Sequence, residues 1–409
     1  MKDAANTSSA AAGRLSICLV AHNAYRALTG LGEGHLGGVE RQTAIMARWL
    51  AARGHQVSVL IWDQGAGAVR EVDGIRLISI CPSNSGWPLF RLIHPRVTGL
   101  MRAMRAADAD VYYHNCAEAL TGVIARWARA HGKKFVFSVA SDSDVDPRLP
   151  EMGRSYERWL FRTGLKRAHR IFVQTARQQR ALAASFGVEG KVLPMPCPGP
   201  EESAFDLARP AGPPRVAWVG RIDTMKRLEW LLDIAERMPD IQFDVVAANM
   251  GVALQHPHLA GYATQLRQRA GSMANVAWHG TVPHEKLAEI YRAALCLCCT
   301  STYEGFPNTF LEAWSQGRPV VSSFDPDGLI QSRQLGAYAT QAGEFVAAIR
   351  NLVQLPEAWH EQAQRSREYF LSTHAPAESM PRFEREFLDA AEMPGQPGPH
   401  PVNSTLFSA

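Results

Sequence analysis

The chain has 409 residues, of which 46% are hydrophobic, 9% aromatic and 20% charged. At roughly 150 residues per domain this length predicts two domains, or three, and the composition is that of a globular chain able to bury two cores. A single small module, a fibrous chain and a mostly disordered chain are excluded. The formal charge of +4 hides an asymmetry: residues 1–200 hold 26 Lys and Arg against 15 Asp and Glu, and residues 201–409 hold 17 against 24. A basic half joined to an acidic half directs the first towards an anionic ligand or surface, although uneven solvated faces give the same arithmetic.

Residues 1–13 and 392–409 read as flexible tails: the first lacks an apolar core of signal-peptide length, and the second, around GQPGPHPVNSTLFSA, cannot build a core. No uncharged apolar run approaches the roughly 18 residues of a membrane span, so a soluble cytoplasmic protein is expected. Seven cysteines at 18, 81, 116, 197, 296, 298 and 299 lack paired spacing and are read as reduced thiols. The cluster ALCLCC is read as a buried strand and not a metal site, because no histidine stands at ligand spacing.

From Leu15 the chain alternates short apolar runs with amphipathic stretches: LSICLV, VERQTAIMARWLAARG, QVSVLIW, DVYYH, a helical stretch over 117–130, KFVFSVA and RIFVQT. Strands separated by helices of this length predict a parallel sheet covered on both faces. Seven prolines between Pro194 and Pro214 break the pattern and read as an interdomain connection. The rhythm resumes with PRVAWVG, a helix from about Arg227, IQFDVVA, NVAWHG, a helix from about His284, ALCLCC, a helix from about Asn308 and RPVVSS, followed by helical segments to about Ala391. The expected class is α/β, with two doubly wound Rossmann-like domains over 14–200 and 212–375 and a helix over 376–391 that crosses back to the first domain. Two such domains facing each other across a cleft bring the carboxyl ends of both strand sets towards one gap.

Four stretches carry candidate chemistry. Gly37 and Gly38 open a helix after the first strand; free amides there can face a phosphate, though a tight turn is the simpler reading. Arg221 ends the first strand of the second domain, and Lys226 stands at the expected helix start, a fork and a compact charge suited to a diphosphate. In Tyr303–Glu312 two carboxylates, Glu304 and Glu312, lie eight positions apart, with Asn308 as the expected helix cap between them. A carboxylate accepts two hydrogen bonds from a vicinal diol. The run Asp142, Ser143, Asp144, Val145, Asp146 fails the calcium-loop pattern, because Pro147 and Gly153 occupy the sixth and twelfth places, and is read as a solvated turn, with a simple carboxylate pair for manganese or magnesium as the alternative. His114 and His279 each follow a strand, able to line the cleft or to satisfy a backbone group.

Together these stretches resemble glycosyltransferase family 4 (group 1) enzymes of GT-B fold, over roughly Leu15 to Ala391. The resemblance rests on the E-x7-E pattern in EGFPNTFLE, on GGVE with its helix, and on GRIDTMK, VAWHGTVPHEKLAEIYRAA and GRPVVSS in that order. It implies a retaining enzyme moving a hexosyl group from a UDP- or GDP-linked sugar to a hydroxyl of a saccharide or lipid-linked saccharide, in bacterial exopolysaccharide, lipopolysaccharide or other surface-glycan synthesis. It implies no metal, no further cofactor and no nucleic-acid partner.

Position by position, Arg221 and Lys226 would grip the diphosphate, Glu304 the transferred sugar and Glu312 the ribose. Backbone amides of Phe306, Pro307, Asn308 and Thr309 would be the local donor contacts insofar as each carries one, Gly37 and Gly38 would close on the diphosphate, and the backbone around Val282 would read the base. The basic first domain would take the acceptor, with peripheral placement at the inner face of the cytoplasmic membrane. Many relatives carry a histidine where this chain has Ala140 and Ser141; His114, Asp142 and Asp144 are the candidate sugar or acceptor contacts in its place. A nucleotide-sugar 2-epimerase of similar architecture and a non-catalytic nucleotide-sugar-binding relative remain as alternatives. The stretch PLFRLIHPRVTGLMRAMRAA, with Arg91, Arg96, Arg102 and Arg105, resembles a basic amphipathic membrane-surface segment, or an ordinary packed helix with arginines in water.

Overall fold

The alternation of apolar runs and amphipathic stretches folds into two parallel sheets, because a strand followed by a helix can return to its own sheet only by a crossover. The structure, a computed structural model, describes residues 13–31, 37–86, 92–201 and 205–394. The chain divides into two compact units. One comprises the chain to Gln174, residues 178–193 and the chain from Met380; the other comprises Thr175–Arg177 and Pro194–Ser379.

The first unit holds β1 (Ser16–Val20), β2 (Gln56–Ile61), β3 (Glu71–Val72), β4 (Ile75–Ser79), β5 (Val111–Asn115), β6 (Lys134–Ser138), β7 (Arg170–Val173) and β8 (Lys191–Val192). Their order is β3-β4-β2-β1-β5-β6-β7-β8, parallel except for the β3–β4 hairpin. That hairpin lay outside the sequence reading, although its turn carries an Asp-Gly signal: Asp73 and Gly74 have φ of 50° and 73°, as a two-residue hairpin turn requires. The strand order reverses at β1, between β2 and β5. The core lies on the sheet faces, with Cys18, Tyr112, Phe135 and Phe137 buried against Leu100, Ile124 and Phe161 from the covering helices.

Two of those helices, Ala119–Ala130 and Ser155–Leu165, touch through glycines. A Cβ on Gly122 would lie 2.2 Å from the Leu160 carbonyl oxygen, so only glycine admits the crossing. The helix Pro376–Glu392 adds its later part to this unit: the Phe387 ring centroid lies 5.6 Å from Tyr113, and Phe383 lies 5.5 Å from Phe172. Its carboxylates are held as well, Glu384 by His55 at 3.0 Å and Glu386 by Lys191 and Arg170.

The second unit holds β9 (Arg215–Arg221), β10 (Gln242–Ala248), β11 (Val276–Trp278), β12 (Cys296–Cys299), β13 (Val320–Ser322) and β14 (Gly336–Tyr338). Their order is β11-β10-β9-β12-β13-β14, all parallel, which is the doubly wound order 3-2-1-4-5-6. Cys296, Cys298 and Cys299 are free and buried within β12. The reversal falls between β9 and β12, and the ends of these two strands carry the residues singled out above.

Candidate functional site

In the second unit the site is built on the turn leaving β9. Asp223 caps a short 3-10 turn, Thr224–Lys226, by accepting from the Met225 amide at 3.0 Å. Arg227 follows at φ 45°, stacks 3.6 Å above the Trp230 ring, and donates to the Thr300 carbonyl at 2.7 Å and to the Ser323 hydroxyl at 2.9 Å. Thr300 Oγ1 in turn donates to the Lys226 carbonyl at 2.7 Å, and the Thr302 amide to the Met225 carbonyl at 2.9 Å. The turn is therefore fastened to the end of β12. With its backbone fixed, Lys226 meets the Glu304 carboxylate as an ion pair, both side chains being largely buried. Arg221 ends β9 exposed and has no side-chain partner among the described residues.

Beyond Glu304 the chain enters the helix Asn308–Ser315. Its N-cap is Pro307, not Asn308; Asn308 is the first helical residue, so the helix starts one residue earlier than a cap at Asn308 would place it. Phe310 and Trp314 are fully buried and anchor the helix, as their apolar character requires. The Phe306 ring is bracketed by Trp314 at 6.2 Å and His374 at 5.1 Å. Glu312 lies one turn inside the helix and accepts from Tyr291 OH at 2.9 Å. The backbone of 306–309 leads into the helix N-terminus, where the Phe310 amide donates to the Pro307 carbonyl at 3.0 Å. Val282 is half-buried in the loop between β11 and the helix His284–Ala293.

In the first unit, Gly37 and Gly38 do open the helix Gly38–Ala52. The Gly37 amide is not free for an anion, however, since it donates to Glu40 Oε2 at 3.0 Å. His114 lies inside β5 and not beyond it; its ring is 1% exposed, with Nδ1 3.1 Å from Thr121 Oγ1, and burial pulls the imidazole down to about 4. The aspartate run is a buried 3-10 turn, Asp142–Val145, instead of a solvated one. Asp142 accepts from Gln178 at 3.0 Å, and Asp144 accepts from the amides of Ala140 at 2.8 Å and Ser141 at 3.2 Å. Burial pushes Asp144 up to about 6 against those bonds.

Several participants escaped the sequence reading. Tyr291, Thr300 and Arg227 position the residues named above. In the first unit His22, just past β1, lies 3.3 Å from Glu118, just past β5. Burial opposes the charge on Glu118, but the hydrogen bond and charge of His22 outweigh it and hold the carboxyl at about 2. The signal that finds both is their place at the point where the strand order reverses. His279, by contrast, is bound 2.7 Å from Asp244, whose carboxylate also takes Arg215. Among the described residues no three His, Cys, Asp or Glu converge in a metal-binding group, and no helix is long and apolar enough to cross a membrane. Of the basic segment 88–107, residues 88–91 lie outside the described residues. Arg96 bonds the Ser83 carbonyl and Arg102 the Ile80 carbonyl, while Leu100 and Met104 face the core, so the described part packs as an ordinary helix.

Two doubly wound parallel sheets of this strand order define a GT-B protein. Residues 37–198 match the family Glycosyl transferase 4-like domain, and residues 213–355 match Glycosyl transferases group 1. The chain belongs to the group 1 glycosyltransferases. Mannosylfructose-phosphate synthase of Agrobacterium fabrum is 28% identical over 193 residues, 43% of this chain and 42% of its own. D-inositol 3-phosphate glycosyltransferase of Nocardiopsis dassonvillei is 27% identical over 331 residues, 71% and 75% of the two chains. The chain thus spans less than half the length of the first of these relatives. Anabaena HepE, solved in complex with UDP-glucose, shares the fold with a TM-score of 0.69 at 16% identity, over 92% of this chain and 100% of its own.

Proposed function

We propose that the chain transfers a hexosyl group from a nucleotide diphosphate sugar to a hydroxyl of a saccharide or lipid-linked saccharide, with retention of anomeric configuration. The observation that carries this reading is the Lys226–Glu304 pair, braced on the turn that joins β9 to the end of β12. Lys226 and Arg221 bear on the diphosphate, Glu304 on the hydroxyls of the transferred sugar, and Glu312 on the ribose diol. The amides entering the helix Asn308–Ser315 add donors for the sugar and phosphates, with the positive end of the helix behind them.

The step breaks the bond between the anomeric carbon and the β-phosphate oxygen and forms one from that carbon to the acceptor oxygen, on the same face. The acceptor proton passes to the departing phosphate. Charge grows on the leaving diphosphate, so cations fixed beforehand stabilise the transition state more than the ground state. Removing one such donor costs about 3 kcal/mol, or ~10² in rate.

Purified Lys226→Ala, assayed with UDP- and GDP-hexoses, is therefore expected to lose about two orders of magnitude in kcat/KM. UDP-glucose, the ligand of Anabaena HepE, is the first donor to try. Transfer undiminished in that variant overturns the assignment, and an inverted anomeric signal in the product's proton spectrum overturns retention.

A further inference from the structure

Asp244 is a carboxylate in the interior of a strand, and nothing in the transfer step uses it. It stands in β10 between Phe243 and Val245 and is 2% exposed. A buried carboxylate is costly unless it is paired, and Arg215, the first residue of β9, pairs it through both oxygens: Nε donates to Oδ2 at 2.7 Å and Nη2 donates to Oδ1. That fork balances the charge by itself. His279 nevertheless joins it, with Nε2 2.7 Å from Asp244 Oδ1. An ionised carboxylate only accepts, so Nε2 is the donor. The third partner is superfluous to the carboxylate, and its consequence lies in what it does to His279.

His279 is the last residue tied to the sheet before the chain turns away from β11. Its amide donates to the Val245 carbonyl at 2.9 Å, so its main chain and its side chain are both fastened to β10. Gly280 follows at φ 67°, and after Thr281 and Val282 the chain reaches Pro283, the N-cap of the helix His284–Ala293. That helix is seated by Leu287 and Ile290, each 5% exposed, and its Tyr291 bonds Glu312. The loop from Gly280 to Pro283 is therefore strung between two fixed ends, with Thr281 and Pro283 exposed. Since the sheet is parallel and only β10 separates β11 from β9, the loop opens at the same end of the sheet as Arg221 and Lys226.

We propose that His279 is a positioning residue for the base of the donor: fastened to the buried Asp244–Arg215 pair, it holds the loop from Gly280 to Pro283 in one conformation, so that the loop's main-chain groups meet the base without having to be ordered first. This rests on the donor reading above, in which the diphosphate meets Arg221 and Lys226 and the ribose meets Glu312. The helix His284–Ala293 links the two ends of the nucleoside, since it carries the loop at its start and holds Glu312 through Tyr291. Main-chain amides and carbonyls can read the edge of a base only where they are already in place, because a loop that orders on binding gives up affinity. An apolar side chain at 279 would pack but leave the turn free to rotate. A hydrogen bond to a carboxylate that is itself locked by an arginine fork fixes the direction as well as the place.

The test is calorimetric titration of the full chain with UDP, GDP and ADP, and with inorganic pyrophosphate as the probe that lacks a nucleoside. The parent is expected to bind one of the three nucleotides more tightly than pyrophosphate. His279→Phe and His279→Leu, which remove the donor with and without a ring, are each expected to weaken that nucleotide about tenfold and to bind pyrophosphate as the parent does. His279→Gln, whose side-chain amide can donate in place of Nε2, is expected to recover most of the loss. A purely structural role would lower both ligands together, so equal losses for nucleotide and pyrophosphate overturn the proposal. So do Phe and Leu variants that bind the nucleotide like the parent, or a Gln variant no better than they are; each of these results leaves the donor reading standing. A parent chain that binds none of the three nucleotides more tightly than pyrophosphate overturns the donor reading and this proposal with it.

Discussion

Tyr291 is 2% exposed, and its hydroxyl holds one oxygen of Glu312. Losing that bond removes one of the groups that orient the carboxylate, without opening a large cavity. Tyr291→Phe is therefore expected to raise the donor KM by about fivefold, the worth of roughly 1 kcal/mol for one hydrogen bond, with kcat little changed. A fall in kcat at constant KM would place Glu312 in the chemical step instead. Two buried residues of the first unit make opposed demands on pH. His114, drawn down to about 4 by burial, stays neutral in the folded chain while the unfolded chain protonates near 6.5, so its contribution is lost as pH falls from about 6.5 to about 4. Asp144, raised to about 6, holds its proton in the folded chain while the unfolded one releases it near 3.8, so its contribution is lost as pH rises through that window. Each shift corresponds to about 3 kcal/mol. Denaturant midpoints measured from pH 4 to 7 should lose the acid-side fall in His114→Gln and the neutral-side fall in Asp144→Asn; slopes unchanged in both would contradict these assignments.

At the scale of elements, the helix pair Ala119–Ala130 and Ser155–Leu165 depends on the absence of two side chains. Gly122→Ala places a carbon 2.2 Å from the Leu160 carbonyl oxygen, and neither backbone can yield without opening the pair. The expected loss is about 2 kcal/mol or more by denaturant unfolding, from overpacking. Gly261→Ala gives the contrast: an exposed position inside the helix Ala260–Gly271 with open space around it, expected to gain up to about 1 kcal/mol. Equal effects of the two would mean that helix propensity, and not the crossing, governs Gly122.

For the whole molecule, the return of the chain end to the first unit is the feature with consequences. Phe383 and Phe387 are fully buried there, and Glu384 reaches His55 across 329 positions of sequence. Truncation after Ser379 removes two buried rings, each worth about 3 kcal/mol, and leaves His55, Arg170 and Lys191 without their carboxylates. Hydrogen exchange should show protection falling in β5 and β7 while β9, β10 and β12 keep theirs. Unaltered protection in β5 and β7 would show that the helix Pro376–Glu392 is dispensable to the first unit.

The order of strands and helices was legible in the sequence because burial imposes its period locally: LSICLV, KFVFSVA and IQFDVVA announce themselves within a few residues. So did the stretches that carry Arg221, Lys226, Glu304 and Glu312, since each ends or follows such a run. Short edges such as β3, β8 and β14 did not, being two or three residues long and held by their neighbours. Neither did the partners: that Lys226 meets Glu304 from 78 positions away, that Tyr291 reaches Glu312, and that the aspartate turn is buried and not solvated. Periodicity along one stretch determines which face of an element turns inward, but which other stretch it then meets is decided by the chain closing on itself, and only the tertiary structure records that.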